Sequence, residues 1–287
     1  MHTVPDMTIK EPVRIISDLH LGHSSCSFEN PAALAPLFRG VASVIFNGDS
    51  VETNIVARRK EGARNAEALQ QECLKAGAQP WLINGNHDPE ISGMDHADLA
   101  DGAVLVTHGD LLFHDISPWS KRSIMMGRAH TEQLEALGED AFHDFEKRLH
   151  ASKRAVLAVE MHDVPLLPGP LAKVMFVLEE FWPPWRPLQI IKCWIETPGR
   201  AVALARTFRP RARFVIIGHT HRAGIWRIGP RIIINTGSYM PFGRPHVIDI
   251  AGNKLSVKTV VRKGSQFGIG KEVARFDISK LAPGEGD

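Results

Sequence analysis

A chain of 287 residues, 44% of them hydrophobic, is long enough to bury a sizeable core without disulfide staples. The formal net charge of +2 is close to neutral, so the overall electrostatics require neither nucleic acid nor an anionic membrane as a partner. Three widely separated cysteines, Cys26, Cys73 and Cys193, indicate a reducing compartment. No apolar run reaches the roughly 18 residues of a membrane span. The sequence therefore predicts a soluble, cytoplasmic protein.

The chain begins with a short polar segment and then alternates apolar strands with helical patterns. Residues 1–12 mix charges with prolines and predict a disordered lead-in that is not a signal peptide. Five apolar segments have the length and composition of buried strands: 13–17, 41–46, 80–83, 103–107 and 214–217. This alternation predicts an α/β sheet whose functional edge lies at the carboxyl ends of its strands.

Each of these five strands is followed by residues that bind metal ions. The clusters are Asp18 with His20, Asp49, Asn86 with His87, His108, and His219 with His221. Because the strand ends of one sheet converge, side chains that are distant in sequence can meet at one point. Carboxylate, amide and imidazole ligands without a thiolate favour Mn²⁺, Fe or Zn. The clusters therefore predict a metal centre with ligands for two divalent ions, rather than solvated loop histidines.

The second half of the chain has a different pattern. Residues 117–207 show long helical stretches and predict a helical insertion, whose apolar part at 166–195 is interrupted by prolines and predicts a helical hairpin. Turn signals between short apolar segments after residue 218 predict an antiparallel second sheet. Residues 266–287 are predicted to form a weakly structured C-terminal tail, which leaves 13–265 as the main domain.

The polar clusters, in chain order, resemble the signature of the calcineurin-like metallophosphoesterase superfamily. That signature is D-x-H, G-D, G-N-H-D, a lone H and G-H-x-H. In this chain it reads Asp18-Leu19-His20, Gly48-Asp49, Gly85-Asn86-His87-Asp88, His108 and Gly218-His219-Thr220-His221. The resemblance spans about residues 13 to 240. It implies a four-layer α-β-β-α sandwich of two sheets flanked by helices, which agrees with the pattern of strands and helices above.

The resemblance also implies a role for each residue of the motifs. Asp18, His20 and His221 would bind one metal ion, Asn86, His108 and His219 would bind the other, and Asp49 would bridge them. Two such ions hold a hydroxide for in-line attack on a phosphoryl group. His87 would stabilise the transition state or protonate the leaving oxygen, with Asp88 orienting its imidazole. The alternative for His87 is a structural hydrogen bonder.

Further segments resemble, in outline, the UDP-2,3-diacylglucosamine pyrophosphatase branch of lipid A synthesis. They are Asp18-Leu19-His20-Leu21, Glu52 three residues after Asp49, His108-Gly109-Asp110 and Thr220-His221-Arg222. That branch has a helical insertion at the same place and binds acyl chains there, so the insertion here would bind lipid or contact the membrane surface. The alternative is that its aromatic residues only bury one another. The branch typically has Arg where this sequence has His87.

Residues 200–231 contain eight arginines and no acidic residue, so the neighbourhood of the site is locally basic. Arginine offers a planar fork that matches phosphate oxygens. We therefore predict that Arg222, directly after His221, binds substrate, and we predict the same for Glu52. Nucleic acid is disfavoured as a partner because the sequence lacks interleaved aromatic residues on which bases could stack.

These observations predict a dinuclear-metal phosphoesterase that uses Mn²⁺, with Fe and Zn as alternatives. Its substrate would be a phosphodiester or pyrophosphate, within a phosphorylated small molecule or a lipid-linked nucleotide held by the insertion. One alternative is a lipid A pyrophosphatase acting at the inner face of the membrane. Another is a non-catalytic scaffold on the same fold, although such scaffolds tend to lose the metal ligands that this chain retains.

Overall fold

Eleven strands form two sheets in the computed structural model, which describes residues 8–23, 25–159 and 185–280. The strands are β1 (Val13–Ile16), β2 (Ser43–Asn47), β3 (Gln79–Ile83), β4 (His96–Leu99), β5 (Val104–Thr107), β6 (Phe214–Ile217), β7 (Gly224–Ile228), β8 (Arg231–Asn235), β9 (His246–Ala251), β10 (Lys254–Lys263) and β11 (Gln266–Asp277). The first sheet has the order β11-β10-β9-β1-β2-β3, and the second has the order β4-β5-β6-β8-β7.

Both sheets are mixed: the parallel strands form one side of the first sheet and the centre of the second. In the first sheet β1, β2 and β3 are parallel, whereas β9, β10 and β11 join by antiparallel pairing. In the second sheet β5, β6 and β8 are parallel, and β4 and β7 are antiparallel edge strands. The carboxyl ends of the parallel strands in both sheets therefore deliver their loops to a shared edge.

Alternation along each strand builds a core between the sheets and a second layer outside them. In β1, Val13 and Ile15 belong to the apolar cluster between the sheets, and Ile16 belongs to the cluster on the outer face. The partner sheet contributes Val106, Phe214 and other fully buried side chains to the central cluster. Successive strand residues point to opposite faces, so a strand that is apolar throughout is covered on both sides.

Helices cover the outer face of each sheet. They are α1 (Ala35–Phe38), α2 (Arg59–Lys75), α3 (Ser123–Ala136), α4 (Phe145–Ala158) and α5 (Arg186–Phe208), with short 3-10 helices at Pro31–Leu34, Val56–Arg58, Asp110–Leu112 and Glu139–Phe142. Helices α1 and α2 pack on the first sheet, and α4 and α5 pack on the second through residues such as Leu149 and Leu204. The predicted four-layer α-β-β-α sandwich is confirmed.

The segment between β5 and β6 contains α3, α4 and α5, at the place where the sequence predicts a helical insertion. Residues 160–184, which include most of the apolar stretch predicted as a hairpin, lie outside the described residues, as do 1–7 and 281–287. Within the described parts of the chain, no helix combines the length and the apolar composition needed to cross a membrane.

Two predictions about the β-rich half are wrong. Residues 266–277, predicted as part of a weakly structured tail, form β11, which pairs with β10 along most of its length. The strands after Gly218 do not make an antiparallel sheet of their own: β7 and β8 complete the second sheet, while β9 to β11 extend the first. The lead-in is ordered from residue 8 in the described part, where the Lys10 amide donates to Ser43 Oγ at 3.1 Å.

Candidate metal centre

The polar clusters predicted from the sequence meet at the edge where the two sheets adjoin. Asp18, Asp49 and Asn86 follow β1, β2 and β3 of the first sheet, and His108 and His219 follow β5 and β6 of the second. The two sets of loops interlock, because the Asp18 carboxylate accepts the His219 amide N–H at 2.9 Å. Each sheet therefore supplies part of one shared site.

Five side chains of this site come from residues in the left-handed region of backbone conformation. The φ angles are +53° at Asp18, +51° at His20, +52° at Asp49, +67° at His219 and +58° at His221. A residue other than glycine in this region costs about 1 kcal/mol or more, and such residues cluster at functional sites. The surrounding hydrogen bonds and packing must offset this cost. The rest of the fold therefore holds these five residues in their conformation.

Two motif glycines are required by close approach rather than by backbone conformation. A Cβ atom at Gly85 would overlap the Asp49 side chain and backbone amide. A Cβ atom at Gly218 would overlap the carboxylate of Asp18 and the hydroxyl of Ser17. These two glycines leave the space that the Asp49 and Asp18 side chains occupy.

The ligand atoms form two groups that share one carboxylate. The first group is Asp18, His20, Asp49 and His221, and the second is Asp49, His108 and His219. In the first, His221 Nε2 lies 3.4 Å from Asp18 Oδ1 and 3.0 Å from His20 Nε2. In the second, His108 Nε2 lies 3.3 Å from Asp49 Oδ2 and 3.2 Å from Asn86 Oδ1. All seven predicted metal ligands are therefore brought together, with Asp49 between the two groups.

The hydrogen bonds on the outer side of three imidazoles fix which ring nitrogen can bind a metal. His20 Nδ1 donates to the Glu52 carboxylate at 3.0 Å, and His108 Nδ1 donates to the Asn47 carbonyl at 3.0 Å. His219 Nε2 donates to the Ile116 carbonyl at 2.8 Å. In the neutral form of each ring, the other nitrogen carries a lone pair directed into the site. An acceptor behind each histidine is the arrangement that orients metal-binding imidazoles.

This donor set fits divalent metal ions. The His219 Nδ1 atom is buried and has no hydrogen-bond partner among the described residues, as expected of a lone pair reserved for a metal. Burial, followed by the charge of His108, lowers the pKa of His219 to about 4, which keeps its ring in the neutral form that binds metals. Two buried carboxylates, Asp18 and Asp49, supply the negative charge that divalent cations require.

Glu52 links the metal ligands to His87. Its Oε1 accepts from His20 Nδ1, and its Oε2 accepts from His87 Nδ1 at 2.8 Å. Burial would raise the pKa of Glu52, but the imidazoles of His87 and His20 lower it well below its usual range. Burial opposes the charged form of His87, whereas the carboxylates of Glu52 and Asp49 raise its pKa to about 10. The His87 side chain is 24% exposed, so it faces solvent from the rim of the site.

Two predicted roles are corrected by these contacts. Asp88 does not orient the imidazole of His87, because its carboxylate accepts backbone amides from Gly85, Asp49, Ser50 and Val51 at 2.7 to 3.3 Å. Glu52 holds that imidazole instead. Glu52 is also unsuited to binding substrate, because it is 1% exposed and both of its oxygens are engaged by histidines. Asp88 shapes the loops that carry the metal ligands.

Arg222 lies beside the site and against helix α5. Its guanidinium stands 5.4 Å from the ring centroid of Trp194, in cation–π contact. Asn235 and Thr236, at the end of β8, contact the loops of the site. Asn235 Nδ2 donates to the Gly218 carbonyl at 2.7 Å. Thr236 Oγ1 contacts Ser17 Oγ, which in turn contacts the Asp18 carboxylate. The role of Arg222 in substrate binding stays a prediction.

Several supporting residues were not predicted. Two of them are the carbonyls of Asn47 and Ile116, which accept from the predicted ligands His108 and His219. The third is the indole of Trp119, whose ring centroid lies 5.0 Å from that of His219. Backbone carbonyls carry no sequence signal, and Trp119 is distant in sequence from the histidine it contacts.

Comparisons with known proteins give structural neighbours at low similarity. No protein-family model and no curated protein matches the sequence. Vacuolar protein sorting 29 from Cryptosporidium parvum is 12% identical, with a TM-score of 0.41 over 94% of this chain and 100% of that one. Vps29 from Entamoeba histolytica, in complex with Zn²⁺, is 15% identical, with a TM-score of 0.38 over 93% and 98%. A conserved Streptococcus pneumoniae protein, described as a predicted phosphoesterase, is 12% identical, with a TM-score of 0.38 over 94% and 99%.

At these identities and TM-scores the neighbours carry no functional argument. The motifs and the geometry do: the chain resembles the calcineurin-like metallophosphoesterase superfamily in the order of its five motifs, in its α-β-β-α layers and in the convergence of the motif side chains.

Proposed function

We propose that this protein is a metal-dependent phosphoesterase that hydrolyses a phosphodiester or a pyrophosphate. The observation that carries the proposal is the direction of the imidazole lone pairs. Three histidines are fixed from behind by Glu52, Asn47 and Ile116, so their free nitrogens face the carboxylates of Asp18 and Asp49. Buried carboxylates and imidazole nitrogens that converge in this way serve to bind divalent cations.

The proposed cofactor is a pair of divalent ions, with Mn²⁺ favoured and Fe and Zn as alternatives. Bound in such a site, divalent ions lower the pKa of water and withdraw charge from phosphoryl oxygens. Asp18, His20 and His221 would hold one ion, Asn86, His108 and His219 would hold the other, and Asp49 would contact both. The sharing of Asp49 between the two ligand groups supports this division.

His87 is proposed to act on the leaving group. Its side chain is held at Nδ1 by Glu52, which leaves Nε2 free to hold a proton towards the leaving oxygen. Its position at the partly exposed rim, one residue after Asn86, supports contact with a substrate seated on the metals. Glu52 keeps the ring oriented and stabilises its protonated form. Arg222, braced against Trp194, is proposed to contact a phosphate oxygen of the substrate.

The substrate proposed is a phosphorylated small molecule or a lipid-linked nucleotide, and the UDP-2,3-diacylglucosamine pyrophosphatase reaction is the second candidate. One face of α5 favours contact with lipid: Trp185, Leu188, Ile191 and Ile195 are 47% to 71% exposed at near-helical spacing. Such a stripe, next to basic residues such as Lys192, suits the surface of a membrane. The three free thiols support a reducing, cytoplasmic location.

Hydrolysis of bis(4-nitrophenyl) phosphate with Mn²⁺, beside the matching monoester, tests the proposal. We expect Mn²⁺-dependent release of nitrophenol from the diester, abolished by EDTA and lowered by about 100-fold or more in His87→Ala, since general acid catalysis contributes about 10²-fold to 10⁴-fold. His150→Ala, at an exposed position of α4, is the matched control. Mn²⁺ binding without hydrolysis of either ester or of a UDP-linked pyrophosphate would contradict the proposal and favour the scaffold alternative.

A further inference from the structure

The helices between β5 and β6 reach the metal ligands through Trp194 of α5. The indole Nε1 donates to the carbonyl of Thr220 at 2.8 Å, although the two residues lie on different elements. Thr220 is the central residue of the histidine loop, which we define as His219 to His221. A helix on the outer face of the second sheet is therefore hydrogen-bonded to the backbone of the candidate metal centre.

The histidine loop is strained, so its contacts matter for its conformation. His219 and His221 both have left-handed backbones, and the Thr220 carbonyl belongs to the peptide unit that leads into His221. Residues outside the loop bond the other polar groups of Thr220. The Thr220 amide donates to the Gly218 carbonyl at 2.8 Å, and Thr220 Oγ1 accepts from Asn235 Nδ2 at 3.0 Å. The carbonyl is bonded by Trp194, which fixes the tilt of the peptide before His221.

The other histidine of the loop is held by the beginning of the same helical segment. His219 Nε2 donates to the Ile116 carbonyl, and its ring packs against Trp119. Arg186, at the start of α5, donates from Nε to the Trp119 carbonyl at 3.0 Å and so connects the two contacts. Contacts thus connect residues 116–119 to α5 and connect both of them to the histidine loop.

We propose that Trp194 is a positioning residue for metal binding, which holds His221 at the angle needed to complete the group formed with Asp18, His20 and Asp49. This inference rests on the proposed metal centre and extends it. The position of α5 determines how tightly the group with Asp18, His20, Asp49 and His221 binds its metal ion. Arg222 packs on the same indole ring, so the residue proposed to contact phosphate shares this support.

The test compares Trp194→Phe with Trp81→Phe. The first change removes an N–H that donates to Thr220. The second removes an N–H from a half-buried indole that has no acceptor in the described parts of the chain. Mn²⁺ binding is measured by isothermal titration calorimetry and by electron paramagnetic resonance, and the thermal midpoint is measured in EDTA. We expect Trp194→Phe to weaken one class of Mn²⁺ site by about 10-fold to 100-fold, as loss of a supporting contact typically does. The midpoint in EDTA should stay close to that of Trp81→Phe.

Three results would overturn the inference. Equal Mn²⁺ affinities in wild type and Trp194→Phe would reject it and leave the proposed function standing. Equal weakening in both variants would reject it as well, because the hydrogen bond would then be irrelevant. A wild-type protein that binds no Mn²⁺ would reject it together with the proposed function. If Trp194→Phe unfolds in EDTA, 3-benzothienylalanine at position 194, which replaces the N–H with sulfur in a ring of the same shape, gives the same comparison.

Discussion

Glu52 divides its two carboxylate oxygens between a proposed metal ligand and the proposed acid catalyst. The Nδ1–H groups of His20 and His87 donate to Glu52 Oε1 and Oε2 at 3.0 and 2.8 Å, and Glu52 is only 1% exposed. A buried carboxylate is costly unless its charge is matched, and two imidazole donors match it. One residue thus fixes the tautomer of His20 and the orientation of His87.

Glu52→Gln is expected to lower kcat/KM for diester hydrolysis by about 10-fold to 100-fold, in line with the loss of residues that orient metal ligands. The glutamine amide offers one acceptor, and its NH₂ group would oppose the N–H of the second imidazole. Steady-state kinetics with Mn²⁺ measures the effect. Glu67→Gln, at an exposed position of α2, is the control. Unchanged kcat/KM in Glu52→Gln would contradict the assigned role.

Gly218→Ala is expected to abolish Mn²⁺ binding, because the new methyl group would overlap the Asp18 carboxylate and Ser17. The Asp18 side chain cannot move aside without losing the His219 amide. Gly199→Ala, in α5, is the control: its Cβ meets no atom within 4 Å, and alanine in a helix stabilises by about 0.5 to 1 kcal/mol over glycine. Calorimetric titration of Mn²⁺ distinguishes the two. Wild-type affinity in Gly218→Ala would show that Asp18 is not a ligand.

At the scale of elements, β11 shows where the sequence pattern fails. Glycines at 268 and 270 interrupt residues 266–277, and glycine is unfavourable in a strand. The strand exists because β10 offers a long partner, with register shifts between Val257 and Val260. Pairing of this kind is a tertiary effect. Pairing also determines which of the two sheets each strand after residue 218 joins. The hydrophobic periodicity of a strand does not identify its partner strand.

The pairing of β1 with β9 includes a buried ion pair that makes stability depend on pH. Arg14 Nε and Nη2 donate to the Asp249 carboxylate at 2.6 and 2.8 Å. Burial would raise the pKa of Asp249, but Arg14 and then Lys258 lower it below its usual value. The folded pKa is therefore below the unfolded one, so this stabilisation is present above about pH 4 and is lost as the pH falls through the folded pKa.

Asp249→Asn is expected to lower the free energy of unfolding at pH 7 by about 1.5 to 3 kcal/mol, the range for hydrogen bonds to charged groups. The difference from wild type should shrink as the pH falls below about 4, because the wild-type carboxylate becomes protonated. Urea unfolding between pH 3 and 7 measures it, with Glu90→Gln at an exposed position as control. A difference that stays constant with pH would contradict the argument.

For the molecule as a whole, the sequence predicted what its apolar runs and motif residues determine. The meeting of Asp18, Asp49 and His219 follows from strands that end in polar clusters. The four layers were implied by the resemblance to the metallophosphoesterase superfamily. The groups behind the ligands could not be predicted. Glu52 was assigned to the substrate, and its role depends on two histidines that only the folded chain brings to it. Trp194 donates a hydrogen bond to a backbone carbonyl, and a sequence motif does not identify which carbonyl a side chain will bond.

Metal binding should stabilise the whole protein, because the folded state alone assembles the ligands. At 100 times the dissociation constant, each Mn²⁺ site adds about 2.7 kcal/mol to the free energy of unfolding. Differential scanning calorimetry with Mn²⁺ and with EDTA measures the shift. Asp49→Asn, which removes a carboxylate common to both ligand groups, should lose most of the shift. A thermal midpoint that ignores Mn²⁺ in the wild type would contradict the proposed site.

The two sheets have separate strand ladders, and each ligand group draws residues from both of them. A bound cation is therefore a cross-link between two sheets that share no strand pairing. A cross-link of this kind removes freedom from the open states, as a disulfide would, and chelation would release it. We expect amide hydrogen exchange to slow in β2 and β6 together when metal is added, since neither sheet could then open without breaking the bridge.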